Sequence, residues 1–463
     1  MAPCEGMPKD PHEKESCAAG CTDDLPSAAS TRCPTSGGTF RGYPTNRDLP
    51  IKSYYTWIKG KRIDDDIGPY WRVHDKLYDL TDFVRLHPGG KDWIECTKGT
   101  DITEAFETSH FTSSPEKILD KYYVQDIAIP RNSPYTFHED GFYKKLKRKA
   151  LPILQKSGRG PSFEMLLIQD GLIVTFIILF FITAWLQSYI LAVLTGIILA
   201  LECSCAHNFI HQRDSFRIYY VDFSLFSSYE WRVTHIISHH VYTNTLYDYE
   251  VIELEPFWMF LPTSKKSFLQ RYCVPLYEWA ILPWAMYASF LKRLHLWICG
   301  EIRPRTENCI PVLELAVMLA LVPSPITGMS LWMVIHSICS LWMVSIHLAG
   351  THHYPDNYHE GDAPREEPDW GLCQLDAVRD KVGYVGNIFM VATHFGNHGL
   401  HHLFPTVDHS RLDQLYPVFF ETCQEFGMTY DLLTHWQTLH GKYVQLAKTT
   451  PNPHPPGSKT KCE

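Results

Sequence analysis

The sequence predicts a multidomain chain: a small α+β domain, then an α-helical membrane domain with about four transmembrane helices. Three observations point there. Charge is concentrated in the first third, and long apolar runs begin near Met165. Residues 51–130 carry the short-element pattern of a compact small domain. Eight histidines fall in three tight clusters beside the apolar runs: His207 and His211; His235, His239 and His240; His398, His401 and His402.

Residues 1–50 are rich in Pro, Ser, Thr, Gly and Asp and read as a solvated tail, because they offer too little apolar surface to order themselves. The N-terminus has no apolar core, so no signal peptide is read. Fourteen cysteines in a chain this long, without paired C-x-x-C knuckles, read as reduced thiols. A net charge of −9 and the lack of a basic, aromatic-interleaved stripe argue against nucleic acid as a partner.

From Trp71 to Leu80 the pattern predicts a strand pair around a turn. A helical turn then runs into His87-Pro88-Gly89-Gly90, where proline and two glycines stop it and let backbone approach something flat and bulky. A further helix carries Ile102, Phe106 and His110 at i, i+4 and i+8. His87 and His110 are thereby placed on opposing walls of an apolar cleft built by Leu80, Phe83, Trp93, Ile94 and Phe106.

This stretch resembles the haem-binding domain of cytochrome b5, through Tyr78-Asp79-Leu80-Thr81-x-Phe83 before the H-P-G-G and Asp101-x-Thr103-x-x-Phe106 before the second histidine. The resemblance implies haem b with His87 and His110 as axial ligands. They stand 23 positions apart, one fewer than in the free-standing form and like versions fused to lipid desaturases. Two imidazoles leave the iron no open position, so such a haem passes electrons rather than binding O₂.

Residues 131–164 read as a basic linker, with Lys144 to Lys149 as a juxtamembrane patch. Residues 166–186 and 189–205 predict two antiparallel membrane helices, the patch placing the N-terminal region in the cytosol. Residues 311–322 and 326–350 predict a second pair, turned at Pro323-Ser324-Pro325. Residues 274–291, interrupted by Glu278 and two prolines, then lie in the interface, because an even number of crossings must separate the last cluster from the first two. Residues 446–463 read as a second tail, closing a membrane domain of 165–445.

A single histidine is ordinarily a hydrogen-bonded structural residue, but H-x-x-H-H twice and H-x-x-x-H once is a metal-centre pattern. On a helix, positions i, i+3 and i+4 share one face and can converge on an ion. No H-E-x-x-H is present, which disfavours a zinc hydrolase.

The three clusters resemble those of the membrane fatty-acid desaturase and lipid hydroxylase superfamily, most closely at His401-His402-Leu403-Phe404-Pro405. The resemblance implies a centre of two non-haem irons on the cytosolic rim of a four-helix membrane domain. Its ligands fall on His207, His211, His235, His239, His240, His398, His401 and His402, which are also the catalytic set. Many b5-fused members carry glutamine where this chain has His398, so bond position cannot be borrowed from them. A further ligand often comes from the last membrane helix; His347 is the candidate, with His352, His353 and His394 behind it.

Membership implies O₂-dependent desaturation of a fatty-acyl chain, with electrons relayed by the chain's own haem from a cytochrome b5 reductase. It also implies a multi-pass endoplasmic reticulum membrane protein with both termini cytosolic. A hydroxylase on the same scaffold and a non-enzymatic electron carrier are the alternatives. The whole pattern is similar to that of the cytochrome b5-related proteins, a desaturase-like group.

Overall fold

The computed structural model describes residues 40–348 and 351–457. The chain opens on α1 (Tyr54–Asp65), closed at its start by a Ser53–Thr56 capping box. A three-stranded antiparallel sheet follows, in the order β1 (Trp71–Val73), β2 (Lys76–Tyr78), β3 (Tyr123–Asp126). Trp71 pairs with Tyr78 across β1 and β2, as the predicted strand pair requires. Between β2 and β3 lie α2 (Lys91–Cys96) and α3 (Thr103–Ser109), which form the cleft. Trp71, Val73, Leu80, Ile94 and Ile102 make a small core of their own.

Then come α4 (Phe142–Ser157), α5 (Phe163–Leu186) and α6 (Tyr189–Ile210). α5 starts at Ser162, whose Oγ accepts from Met165 N–H (3.2 Å), and stops at Gln187, which takes a left-handed conformation. Further on lie α7 (Val274–Ile281), α8 (Ala285–Ile298), α9 (Ile310–Leu321), α10 (Pro325–His347) and α11 (His398–Leu403). Three helices among the described residues are long and apolar enough to cross a membrane: α5, α6 and α10, of 24, 22 and 23 residues. At 1.5 Å per residue each reaches about 33–36 Å, enough for a hydrocarbon core of about 30 Å. Their outward faces carry exposed Val174, Ile178, Phe181, Ile190 and Ile326, as lipid contact demands.

The expected fourth crossing is not one of these three long helices. α9 has 12 residues and reaches only about 18 Å, because Pro311 opens it and Pro323 and Pro325 end its run. Its Glu314 faces His336 of α10 (3.2 Å), a buried pair. The interfacial stretch at 274–291 is two helices, broken by a turn at Leu282–Trp284 that contains Pro283. That turn packs on α10, where Ser340 Oγ donates to Leu282 O (2.6 Å). α6 and α10 run parallel and close: a Cβ at Gly196 would sit 2.5 Å from Ile335 O, so only glycine fits. Their C-terminal ends deliver His207 and His347 to one place, with ring centroids 6.5 Å apart.

Three boundaries shift as well. Within the expected N-terminal tail, residues 40–50 are packed: Phe40 lies among Tyr135, Tyr242 and Tyr247, and Arg47 pairs with Glu255 (2.8 Å). The basic linker is a structural helix. α4 buries Phe142, Tyr143, Leu146, Ala150 and Leu154, with Lys147 as the one buried cation among them, and carries its other charges on the opposite side. In the second tail, Asn452 N–H donates to Asp362 Oδ1 (2.6 Å). Residues 1–39 and 458–463 of those tails lie outside the described residues.

The two halves share one core. Trp57 and Ile58 of α1 and Phe111 beyond α3 join Val241, Tyr242, Tyr247, Leu400 and Phe404, and Trp57 Nε1–H donates to Tyr247 O (2.9 Å). The haem-type domain is therefore seated on the membrane domain, not swung on a free linker.

Candidate metal centre and haem cleft

His87 and His110 face each other with ring centroids 6.4 Å apart. With metal–nitrogen bonds of about 2 Å, one ion fits between the rings. His87 Nδ1–H donates to Gly90 O (2.9 Å) and His110 Nδ1–H to Phe106 O (2.9 Å), leaving both Nε2 atoms for the cleft. Gly89 is required here: a Cβ would lie 2.8 Å from His87 Cε1. Burial lowers the His110 pKa to about 4, so its imidazole is neutral and able to ligate. The cleft is a cavity of about 680 Å³ lined by Leu80, Phe83, Trp93, Ile94 and Phe106, the predicted walls. The donor pair, the apolar walls and the volume fit a haem.

The three histidine boxes converge. Box 1 leaves the end of α6. Box 2 sits on a π-helix, Arg232–His239, whose wider turn places His235 and His240 together five residues apart. Box 3 is α11, entered through Asn397 at φ 58° and anchored by Asp380, which accepts from the backbone N–H groups of His398 and Gly399. Gly399 has no room for a side chain, since a Cβ would stand 2.2 Å from Tyr430 Oη.

The imidazoles form two groups. Ring nitrogens of His207, His211, His235, His240 and His401 lie within 4.8 Å of one another, as do those of His239, His352 and His402. His398 joins the second group through His352, Nε2 to Nε2 at 2.7 Å. Other such pairs stand at 2.7 Å (His207–His235), 3.0 Å (His235–His240), 3.1 Å (His207–His211) and 3.2 Å (His239–His352). Neighbouring ligands on one metal, with bonds of about 2.1 Å, stand about 3 Å apart. His240 stacks on His402 at 4.0 Å, so the groups adjoin.

The opposite ring nitrogens are held from outside. His235 Nδ1 meets Glu250 (2.6 Å), His239 Nδ1 Asp248 (2.9 Å), His402 Nδ1 Gln374 Oε1 (3.1 Å), His352 Nδ1 Ala377 O (3.1 Å) and His401 Nδ1 His409 Nε2 (2.9 Å). This is the outer shell that orients metal-binding imidazoles. On the inward side, His401 Nε2 and His402 Nε2 are buried without any partner, a deficit that an ion would satisfy. Burial first, then neighbouring imidazoles, drives the pKa values of His211, His240, His352, His398, His401 and His402 well down and keeps them neutral. For His239 burial also pulls down, but Asp248 and Glu250 overcome it and raise the pKa to about 9; an ion bound at Nε2 would displace the proton there, while Nδ1–H stays on Asp248. An all-imidazole donor set suits a transition-metal ion, iron, copper, zinc and nickel among them.

The structure thus gathers all eight predicted box histidines and adds His352, which sequence reasoning ranked behind His347. His347 lies outside the two nitrogen groups, its ring 6.2 Å from that of His235 and 6.5 Å from that of His207, and packs on Trp231 (5.4 Å) and Phe395 (4.6 Å). His353 stacks on Phe260 and His394 bonds Thr393, each away from the two groups. Glu250, Asp248, Gln374 and His409 were missed. Asp248 and Glu250 follow box 2 closely and could have been noticed as its carboxylate partners; Gln374 carries no local signal. A second cavity, of about 160 Å³, is lined by His235, His239, His352 and His398, by Trp231, Val344, Leu348 and Phe395, and by Lys292, Arg293 and Tyr54.

Comparison with known proteins agrees with this geometry. The model of the fatty acid desaturase family matches residues 180–434, and that of the cytochrome b5-like heme/steroid binding domain matches residues 59–128. The chain is 38% identical over 435 residues to the cytochrome b5-related protein of Drosophila melanogaster, covering 91% of this chain and 98% of that protein. It is 24% identical to a probable Delta(5) fatty acid desaturase C of Dictyostelium discoideum, over 84% of this chain and 93% of that one. The haem-type region is 37% identical over 84 residues to cytochrome b5 of Borago officinalis, over 18% of this chain and 64% of that one. No solved structure matches the chain. A seated b5-type cleft, two adjoining imidazole groups and matches along both halves place the chain in the cytochrome b5-fused fatty acid desaturase family.

Proposed function

We propose that this chain is a membrane oxidoreductase that uses O₂ to desaturate a fatty-acyl chain at a centre of two non-haem irons. The electrons come through its own haem b from a cytochrome b5 reductase. His87 and His110 hold the haem. His207, His211, His235, His240 and His401 hold one iron; His239, His352, His398 and His402 hold the other, with His352 taking the place first given to His347. The irons supply the means to break unactivated C–H bonds with O₂. The reaction removes two hydrogens from adjacent methylenes and, with two electrons and two protons, converts O₂ to two waters.

The chain's own residues supply placement. Glu250 and Asp248 hold His235 and His239 in the orientation that turns Nε2 inward. Trp231, Val344, Leu348 and Phe395 shape an apolar slot that excludes water and sets which methylene pair lies near the irons. α5, α6 and α10 seat the site in the endoplasmic reticulum membrane, with both termini cytosolic. The observation that carries this reading is that histidines of both box 2 and box 3 line one cavity together with these apolar residues.

The test is metal analysis of the purified chain, together with product analysis of membranes fed labelled acyl chains. One haem, two irons and a new double bond are expected. Haem without iron would make the chain an electron carrier, and a hydroxylated product would make it a hydroxylase.

A further inference from the structure

We infer that the haem domain is docked as a fixed electron junction, with Trp93, Arg232 and Asp214 as the positioning residues that hold the haem cleft against box 1 and box 2. This rests on the desaturase reading above. The haem cavity does not close on its own domain: the same space that touches His87 and His110 is lined on its far side by His211 and His240. A haem seated there has iron-site imidazoles as its wall.

One guanidinium ties the two sides together. Arg232 is buried and begins the π-helix that carries His235 and His239. Its Nε donates to Ile210 O (3.0 Å) and its Nη2 to Gln212 O (3.2 Å), the carbonyls that flank His211. Its flat face lies 4.6 Å over the ring of Trp93, a wall of the haem cleft. Its Nη1 donates to Asp214 Oδ1 (2.7 Å), and Asp214 N–H donates to Gly89 O (3.2 Å) in the H-P-G-G loop. Trp93 Nε1–H donates to the same Gly89 carbonyl (3.1 Å). Gly90 completes the seat: at φ 118° it lies so close that a Cβ would stand 2.4 Å from the Asp214 carboxylate. The loop that supplies an axial histidine and the helices that supply iron ligands are thus held by one hydrogen-bonded cluster.

The function follows from distance. Electron transfer falls off exponentially with the gap between donor and acceptor, so a seat fixed by Arg232 and Asp214 sets the rate. In each transfer ferrous haem loses one electron and becomes ferric, and one ferric ion of the histidine centre becomes ferrous. A reduced flavoprotein restores the haem before the second transfer.

The test uses the full-length chain carrying haem and ferric iron in lipid nanodiscs. A photoreductant delivers one electron to the haem, and haem reoxidation is followed by absorbance. Trp93→Leu and Asp214→Ala are expected to slow reoxidation at least about tenfold, as a misplaced donor should. The haem spectrum and potential and the iron content of Asp214→Ala should stay unchanged. Asp214 touches the loop backbone rather than the cleft, so this variant decides the matter if Trp93→Leu loses haem. Wild-type reoxidation in Asp214→Ala with haem and iron loaded overturns the junction but leaves the desaturase reading standing. Failure of the wild type itself to reoxidise its haem overturns electron feeding by the tethered haem, and the junction with it.

Discussion

At the scale of single residues, the centre depends on nitrogens that have no other partner. His401→Ala and His402→Ala are expected to lose iron and abolish product, while an external reductase still reduces the haem in its separate cleft. Full iron and normal product in both variants would make box 3 structural. His87→Ala and His110→Ala should do the converse: the low-spin haem spectrum disappears and iron content holds. The sharper contrast is His352→Ala against His353→Ala. His352 meets His239 and His398 nitrogen to nitrogen, whereas His353 stacks on Phe260. Only the first should lower iron occupancy, as measured by elemental analysis. Outer partners should cost less: Asp248→Asn is expected to weaken iron binding about 10–100-fold.

At the scale of elements, α3 and α4 are joined by one carboxylate. Glu107 accepts from Lys144 (2.7 Å) and His74 (2.8 Å), and Lys147 Nζ–H donates to its backbone oxygen (2.6 Å). Burial raises the Glu107 pKa, but the bonds to His74 and Lys144 and the nearby lysine charges overcome this and bring it to about 2, from an ordinary 4.5. A depressed carboxylate stabilises the fold fully above its ordinary pKa, and that stabilisation is lost as pH falls from about 4.5 toward 2. At neutral pH the link is worth on the order of 3 kcal/mol. Glu107→Gln should therefore melt at lower temperature than wild type at pH 7, and the difference should shrink as the buffer is taken toward pH 3. Equal melting at pH 7 would remove the link. Helix existence was legible from the sequence for α5, α6 and α10, because uninterrupted apolar runs allow little else. It was not legible at α4, where five basic residues among the six positions 144–149 mask the apolar face that packs on Trp370 and Phe404.

At the scale of the whole molecule, α6 and α10 end together at the histidines, so the turn after α5 and the turn before α10 share the opposite side. Glycosylation acceptors placed at residues 187–188 or 323–324 should be modified in microsomes, and acceptors near residue 225 or in the C-terminal tail should not. Modification near 225 would invert the orientation.

Local patterns alone determined the two domain types, the three long helices, the facing pair His87 and His110, and the eight histidines of the three boxes. Each of these is written within a few residues of chain, in a helical spacing, a run of apolar side chains or a turn that demands glycine. Only the tertiary structure decided that the boxes form a group of five and a group of four. It also brought His352 into the second group, assigned Asp248, Glu250 and Gln374 to the ring nitrogens, and turned the cleft between His87 and His110 toward His211 and His240. Those outcomes join residues far apart in the chain. Their distances are set by how α6, α10, α11 and the π-helix pack on one another, and by a shared core that seats the haem domain, none of which any local stretch encodes.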